Sequence, residues 1–216
     1  MQLKRHHLGF TLTELAVVMI ILALLVGGLV FPLTAQREVQ QLRRAETGLA
    51  EIREALLGFA AIHGHLPCPD MDTDPTAAGY GVAETTCLTP FTREGFLPFK
   101  SLGLLEQDPW EERWRYRVDR NFANSAAPIT LATAFGSDSL MVEDEEGNAL
   151  GTTLERPVAV FYTLGPDRQA NGGNASFEAS NGRYQASPPG ENFDDLLHWL
   201  ARPLLISRLI ASGRQL

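Results

Sequence analysis

Cysteine is scarce in this chain. Only Cys68 and Cys87 occur among 216 residues, which excludes a four-thiolate zinc site and a disulfide-dense scaffold. The two are not spaced as Cys-x-x-Cys, so a redox pair of that kind is excluded as well. Basic charge is also short. There are 18 Lys and Arg against 26 Asp and Glu, a formal net charge of -8. An acidic protein repels phosphate backbones, so no nucleic-acid partner is expected. Enzyme signatures are missing too: there is no Gly-x-Ser-x-Gly elbow, His-Glu-x-x-His pair, phosphate loop or dinucleotide fingerprint. The chain is read as a non-enzyme of one domain, or two small ones.

What is present is one long apolar run. Leu15 to Phe31 carries no charge and no strongly polar side chain. A secretory signal would have a shorter apolar stretch and a small-residue cleavage site after it. Leu33-Thr34-Ala35-Gln36 imitates such a site poorly. Phe10 to Leu33 has the length of a membrane-spanning helix. Lys4 and Arg5 precede it, which puts the amino terminus in the cytoplasm and everything after Pro32 beyond the inner face. Glu14 is the anomaly. A carboxylate at the start of a spanning helix either reaches back to the headgroups or needs a cation. No side chain within one helical turn supplies one. A free amine made by cutting the chain between Gly9 and Phe10 would.

Gly9-Phe10-Thr11-Leu12-Thr13-Glu14-Leu15, with a basic leader before it and the apolar run after it, resembles the processing site of type IV prepilins and type II secretion pseudopilins. The resemblance implies that prepilin peptidase cuts after Gly9 and that the new amine on Phe10 is methylated. It implies that Glu14 pairs with the terminal amine of a neighbouring subunit during assembly. Charge neutralisation in a low dielectric gives that pairing a physical basis. Relatives carry a proline that kinks the helix 22 residues into the mature chain. Here Pro32 is one residue later, so the kink is retained with a shifted phase.

Beyond Pro32 the helical pattern continues. Val39, Leu42, Leu49, Ile52, Leu56 and Phe59 form one apolar stripe, with Gly64 as the stop. A core-packing spine is the reading, and a coiled-coil stalk the alternative. His63 and His65 form a His-x-His pair with no further ligand placed by sequence, so a polar helix end is preferred to a metal site. Cys68 lies between two prolines in a loop reaching Cys87. A Cys68–Cys87 disulfide is expected if the domain is exported, and two unrelated buried thiols are the alternative.

Residues 91 to 105 read as turns with a short helix near Ser101 to Leu105. Trp114 to Val118 alternates apolar and basic residues, as a half-buried strand does. Together with Asp108-Pro109-Trp110 it resembles the globular part of pseudopilins. Strands are expected at about Ile129 to Ala134, Ser139 to Val142 and Val158 to Leu164, the last central. The acidic run Glu143 to Glu146 reads as a solvated hairpin tip, with calcium the alternative. A long polar loop follows Gly165. Its Asp167, Asn171, Asn174, Glu191, Asp194 and Asp195 are oxygen donors of the kind calcium uses, and some relatives bind calcium in a late loop. A plain surface loop is preferred and no cofactor is required. Two closing helices are expected, one containing Leu196, Leu197 and Leu200 and capped by Asn192 or Asp194, the other from Leu204 to Ala211 after Pro203.

The fold class expected is α+β: a long amino-terminal helix, membrane-spanning in its first half, packed on a small antiparallel sheet, with C-terminal helices. The segments are a leader (1–9), a spanning half-helix (10–33), an amphipathic half-helix (34–64) and a periplasmic α+β head (65–216). The function expected is that of a pilin-like structural subunit. A minor subunit is preferred because the head is large, and a secretion pseudopilus is slightly preferred to a type IV pilus because of the Asp-Pro-Trp region. Its partners would be prepilin peptidase, other pilin or pseudopilin subunits, and inner-membrane lipid before assembly. The alternative is a membrane-anchored periplasmic binding or adaptor domain that does not polymerise.

Overall fold

The computed structural model describes residues 11–87, 94–136, 140–176, 182–190 and 192–216, with residues 26–35 described by backbone alone. Gly9 and Phe10 lie outside the described residues, as do Glu191 and the side chain of Pro32. The chain divides into two compact units, Met1–Arg43 and Arg44–Leu216. One helix, α1 (Leu12–His63), contributes to both.

Within the second unit α1 buries a stripe of Ala45, Leu49, Ile52, Leu56, Leu57 and Ala60, at the 3–4 residue spacing of one helix face. Val39, expected in that stripe, is exposed. Charged residues fill the flanks. Gly64 adopts a left-handed φ of 83° and ends the helix, as glycine does without a Cβ penalty. Arg214 completes the terminus, donating through Nε to the Ala61 carbonyl at 2.7 Å and through Nη2 to that of Ile62. A cation there also meets the negative end of the helix dipole.

The main sheet is antiparallel, with strand order β1-β2-β4-β6. Its strands are β1 (Gly95–Phe96), β2 (Arg115–Val118), β4 (Pro157–Thr163) and β6 (Leu196–Ala201). Every residue of β4 is buried, as expected of a central strand. Phe161 pairs with Tyr116 and with His198, whereas Tyr162 pairs with Arg115 and with Leu197. Because side chains alternate along a strand, one face of the sheet presents Tyr116, Phe161 and His198. His198 there meets Glu46 and Arg53 of α1. The opposite face presents Val160, Tyr162 and Leu197. These share a core with Leu140, Val142 and Tyr184, contributed by or adjoining a parallel pair, β3 (Met141–Glu143) and β5 (Arg183–Gln185). The main sheet is therefore covered on both faces.

Several expectations are corrected. Leu196 to Leu200 is a strand, not a helix, and α3 (Arg202–Ala211) is the one closing helix. Leu196, Leu197 and Leu200 read as helical because β6 buries both faces, which erases the alternation of a half-exposed strand. Ile129 to Ala134 is a turn. Ile129 is buried, but its amide donates to the Gly64 carbonyl at 2.8 Å, and the Thr130 amide donates to the Thr133 hydroxyl at 2.9 Å within a turn. The short helix α2 is Phe99–Leu102, earlier than expected. β2 is buried through Arg117, not half-exposed. Gly95–Phe96, expected in a turn, forms β1, and Arg183–Gln185, expected in the polar loop, forms β5.

A disulfide joins Cys68 and Cys87, with Cα atoms 5.6 Å apart. The loop it closes is pinned at Asp70, which is fully buried. The Asp70 backbone pairs with Phe96 at 2.8 and 2.9 Å and covers the edge of β1. Its carboxylate accepts from the amides of Asp72 and Gly81 at 2.8 and 2.7 Å and pairs with Arg113. Arg113 lies against the rings of Tyr80 and Phe96, 4.3 and 3.9 Å from their centroids.

Candidate functional site

The amino-terminal unit carries the first candidate. Thr11 precedes α1 and Glu14 lies in its first turn. The Thr11 amide donates to Glu14 Oε2 at 3.0 Å and the Thr11 hydroxyl donates to the same oxygen at 2.8 Å. The Glu14 amide in turn donates to Thr11 Oγ1 at 3.3 Å. This is a capping box, a reciprocal pairing that satisfies amides left open at a helix start. Its sequence signal is the Thr-x-x-Glu spacing of Thr11 and Glu14 ahead of the apolar run.

Beyond the cap, every described side chain from Leu12 to Leu25 is exposed. Leu15, Val17, Val18, Met19, Ile20, Ile21, Leu22, Leu24 and Leu25 are all at least 48% exposed. A helix apolar all round does not remain in water; it is buried by lipid or by other helices. Among the described residues no helix is long and apolar enough to cross a membrane. The described side chains of the run stop at Leu25.

The head holds the second candidate, the late loop. Its residues come together around the vicinal pair Asp194 and Asp195. Asp195 Oδ2 accepts from the Asn171 amide at 3.0 Å and from Asn174 Nδ2 at 2.9 Å. Asp194 Oδ2 accepts from the Asp167 amide at 3.0 Å, and Asn171 Nδ2 donates to Asp167 at 3.1 Å. Gly165 is required here: its φ is 69°, and a Cβ would lie 2.4 Å from the Asp194 carbonyl oxygen. Burial pushes the Asp195 carboxyl up to about 6, against the opposing hydrogen bonds from Asn171 and Asn174. Burial also raises Asp194. The Oδ1 atoms of both are buried without a hydrogen-bond partner. The Asn171 and Asn174 side-chain oxygens are engaged by the amides of Asp194 and Gln185 at 3.0 and 2.8 Å. Among the described residues no group of three or more carboxylate, imidazole or thiolate side chains is set to hold a metal ion.

The other sequence candidates are placed plainly. His63 lies tilted against Phe59 at 4.2 Å between ring centroids and His65 meets Phe59 edge to face at 5.7 Å, an aromatic helix end. The acidic hairpin tip is an exposed turn in which Asp144 accepts from the Asn148 amide at 2.7 Å. Asp108 of the Asp-Pro-Trp segment is buried; it accepts from the amides of Trp110 and Glu112 and from the Thr163 hydroxyl, so it shapes a turn.

Comparison with known proteins is informative at the amino terminus. No curated protein and no solved structure matches the chain. Residues 4–30 match the family model of the prokaryotic N-terminal methylation motif, so the chain carries the prepilin-type signal that is the hallmark of type IV pilins and pseudopilins.

Proposed function

We propose that the protein is a pilin-like structural subunit, a minor pseudopilin or pilin, cut after Gly9 and assembled through α1. The observation that carries this reading is the methylation motif leading into a helix with exposed apolar side chains all round and one acid in its first turn. Before assembly the helix would sit in the inner membrane, with the head on the periplasmic side. In a filament its apolar faces would pack on those of like helices. The Glu14 carboxylate is held by Thr11, one peptide bond from Phe10. A neighbour's methylated Phe10 amine would therefore take over a carboxylate that is already ordered and exposed. A secretion pseudopilus is preferred to a type IV pilus on the Asp108-Pro109-Trp110 resemblance.

Two substitutions and one mass test the reading. Gly9→Leu should block processing while membrane insertion persists. Glu14→Leu should insert and be processed, yet be lost from sheared filaments. The amino-terminal mass from native membranes should be that of a chain beginning at N-methylated Phe10. Normal filament incorporation of Glu14→Leu would refute the amine pairing. An intact Met1 in cells with active prepilin peptidase would point to the static anchor instead.

A further inference from the structure

Two arginines of the head stand together without an acid, in a chain whose net charge is -8. Arg156 directly precedes β4, and Arg202 opens α3 directly after β6. Pro157 pairs with Ala201 across those strands, and the Arg202 amide donates to the Arg156 carbonyl at 3.3 Å. Both arginines therefore leave the main sheet at one corner. Their guanidinium carbons lie 4.8 and 5.7 Å from the centroid of the same ring, Phe135. That ring is anchored in turn on the fully buried Phe122, at 5.5 Å between centroids.

The contacts of this corner leave its charge uncompensated. Arg202 Nη2 donates to the Leu131 carbonyl at 2.6 Å, a neutral acceptor. The Nε atoms of both arginines are buried without a partner. Among the described residues no carboxylate pairs with either guanidinium. Acids close by are committed elsewhere. Glu155 accepts from the amide and the hydroxyl of Thr152 at 3.2 and 3.0 Å. Asp119, whose amide donates to the Val158 carbonyl of β4, accepts from the amides of Asn121 and Gly136. Arg156, Arg202 and Phe135 are half-buried, and the exposed Leu131 and Leu204 adjoin Arg202. Arginine and aromatic side chains are enriched where proteins meet. Like charges held side by side favour a partner that brings the opposite sign.

The same chain carries that complement. The hairpin tip after β3 exposes Glu145 and Glu146, adjacent in sequence. Their acidic neighbours are engaged, Glu143 with Arg183 and Asp144 with Asn148. Among the described residues no cation pairs with Glu145 or Glu146, and no ion pair joins tip and corner within one chain. Tip and corner are different surfaces. A contact between them is heterologous, the kind that repeats from copy to copy along a filament.

We propose that Arg156, Arg202 and Phe135 form a docking site on the head for the Glu145–Glu146 tip of a second copy of this chain. The two carboxylates accept charge-assisted hydrogen bonds from the two guanidinium groups, and Phe135 is the platform that holds those groups side by side. The proposal rests on the filament reading and adds that copies of the chain are neighbours through their heads.

The test uses full-length chains in membranes of the native host. Glu146→Cys and Arg202→Cys variants, differently tagged, are made together and oxidised. A mixed disulfide dimer is expected. Charge reversal gives a second readout. Arg156→Glu with Arg202→Glu should lower recovery in sheared filaments at least about tenfold, because like charges then face each other. Glu145→Arg with Glu146→Arg should do the same, and all four changes together should restore recovery, which a misfolded head could not do. Absence of the mixed dimer from membranes that yield filaments would overturn the docking site and leave the filament reading standing. Full recovery of either double variant would overturn it as well; if only the arginine reversal caused loss, the anion would be another one, such as a lipid phosphate. A chain that keeps Met1 and yields no filament would overturn the filament reading and the contact together.

Discussion

Removing the Cys68–Cys87 disulfide is the perturbation whose cost follows most directly from the structure. The bridge spans 19 residues of sequence. Chain-entropy treatment of a loop of that size gives about 3 kcal/mol at 25 °C, from a constant of about 0.6 and a logarithmic part of about 2.6 kcal/mol. Both sulfurs belong to buried residues, 4% and 7% exposed, so paired replacement by serine would add a cost for burying hydroxyls. Paired replacement by alanine avoids that and is the cleaner variant. The same loop is pinned by Asp70, through its backbone pairing with Phe96 and its contact with Arg113. Those ties order the native loop but leave the unfolded chain free, so the entropic cost should appear in full. The assay is equilibrium urea unfolding of the full chain in detergent, oxidised wild type against the double alanine variant, with the slope of the transition monitored. An unchanged slope with a loss of about 3 kcal/mol is expected. A loss under about 1 kcal/mol would mean that the unfolded chain already holds this loop closed, and the reasoning would fail.

Two further predictions concern the head. Arg113→Met leaves the fully buried Asp70 carboxylate with amide donors but no cation, and should cost about 3–5 kcal/mol in the same assay; a cost below 1 kcal/mol would show that the two amides suffice. Gly48 lets α1 approach the residue before β2: a Cβ there would lie 2.8 Å from the Trp114 ring. Gly48→Leu should destabilise by at least ~1–3 kcal/mol through overpacking, with a shifted tryptophan emission; an unchanged melting midpoint would show that Trp114 repacks freely.

The parts of the chain that were legible in its sequence are those where a local pattern carries the whole signal. The long helix, its stop at Gly64, the central strand Pro157–Thr163 and the acidic hairpin tip each follow from periodicity or turn chemistry over a few residues. The amino-terminal motif is local as well, since charge, Gly9, Phe10, Glu14 and the apolar run are contiguous. Glu14 reads from the sequence as reaching to the headgroups or needing a cation, and Thr11, three residues away, is its partner within the chain.

What tertiary structure decided is the state of residues whose surroundings come from distant segments. Leu196–Ala201 becomes a strand because β4 needs a second neighbour, and its two buried faces remove the alternation that would have announced it. Glu94 reads as one more surface acid until Tyr162 and Tyr184, from strands far along the chain, close on it. Arg117 reads as the outward half of an alternating strand until the β3–β5 pair covers that face. The late-loop acids likewise acquire their raised proton affinity from burial once the loop folds over Asp194 and Asp195, against the opposing hydrogen bonds from Asp167 and Asn171. Pattern over neighbouring residues sets which segments are helical or extended. Burial, and with it the charge state of these acids, is a property of long-range packing and is written in no single segment.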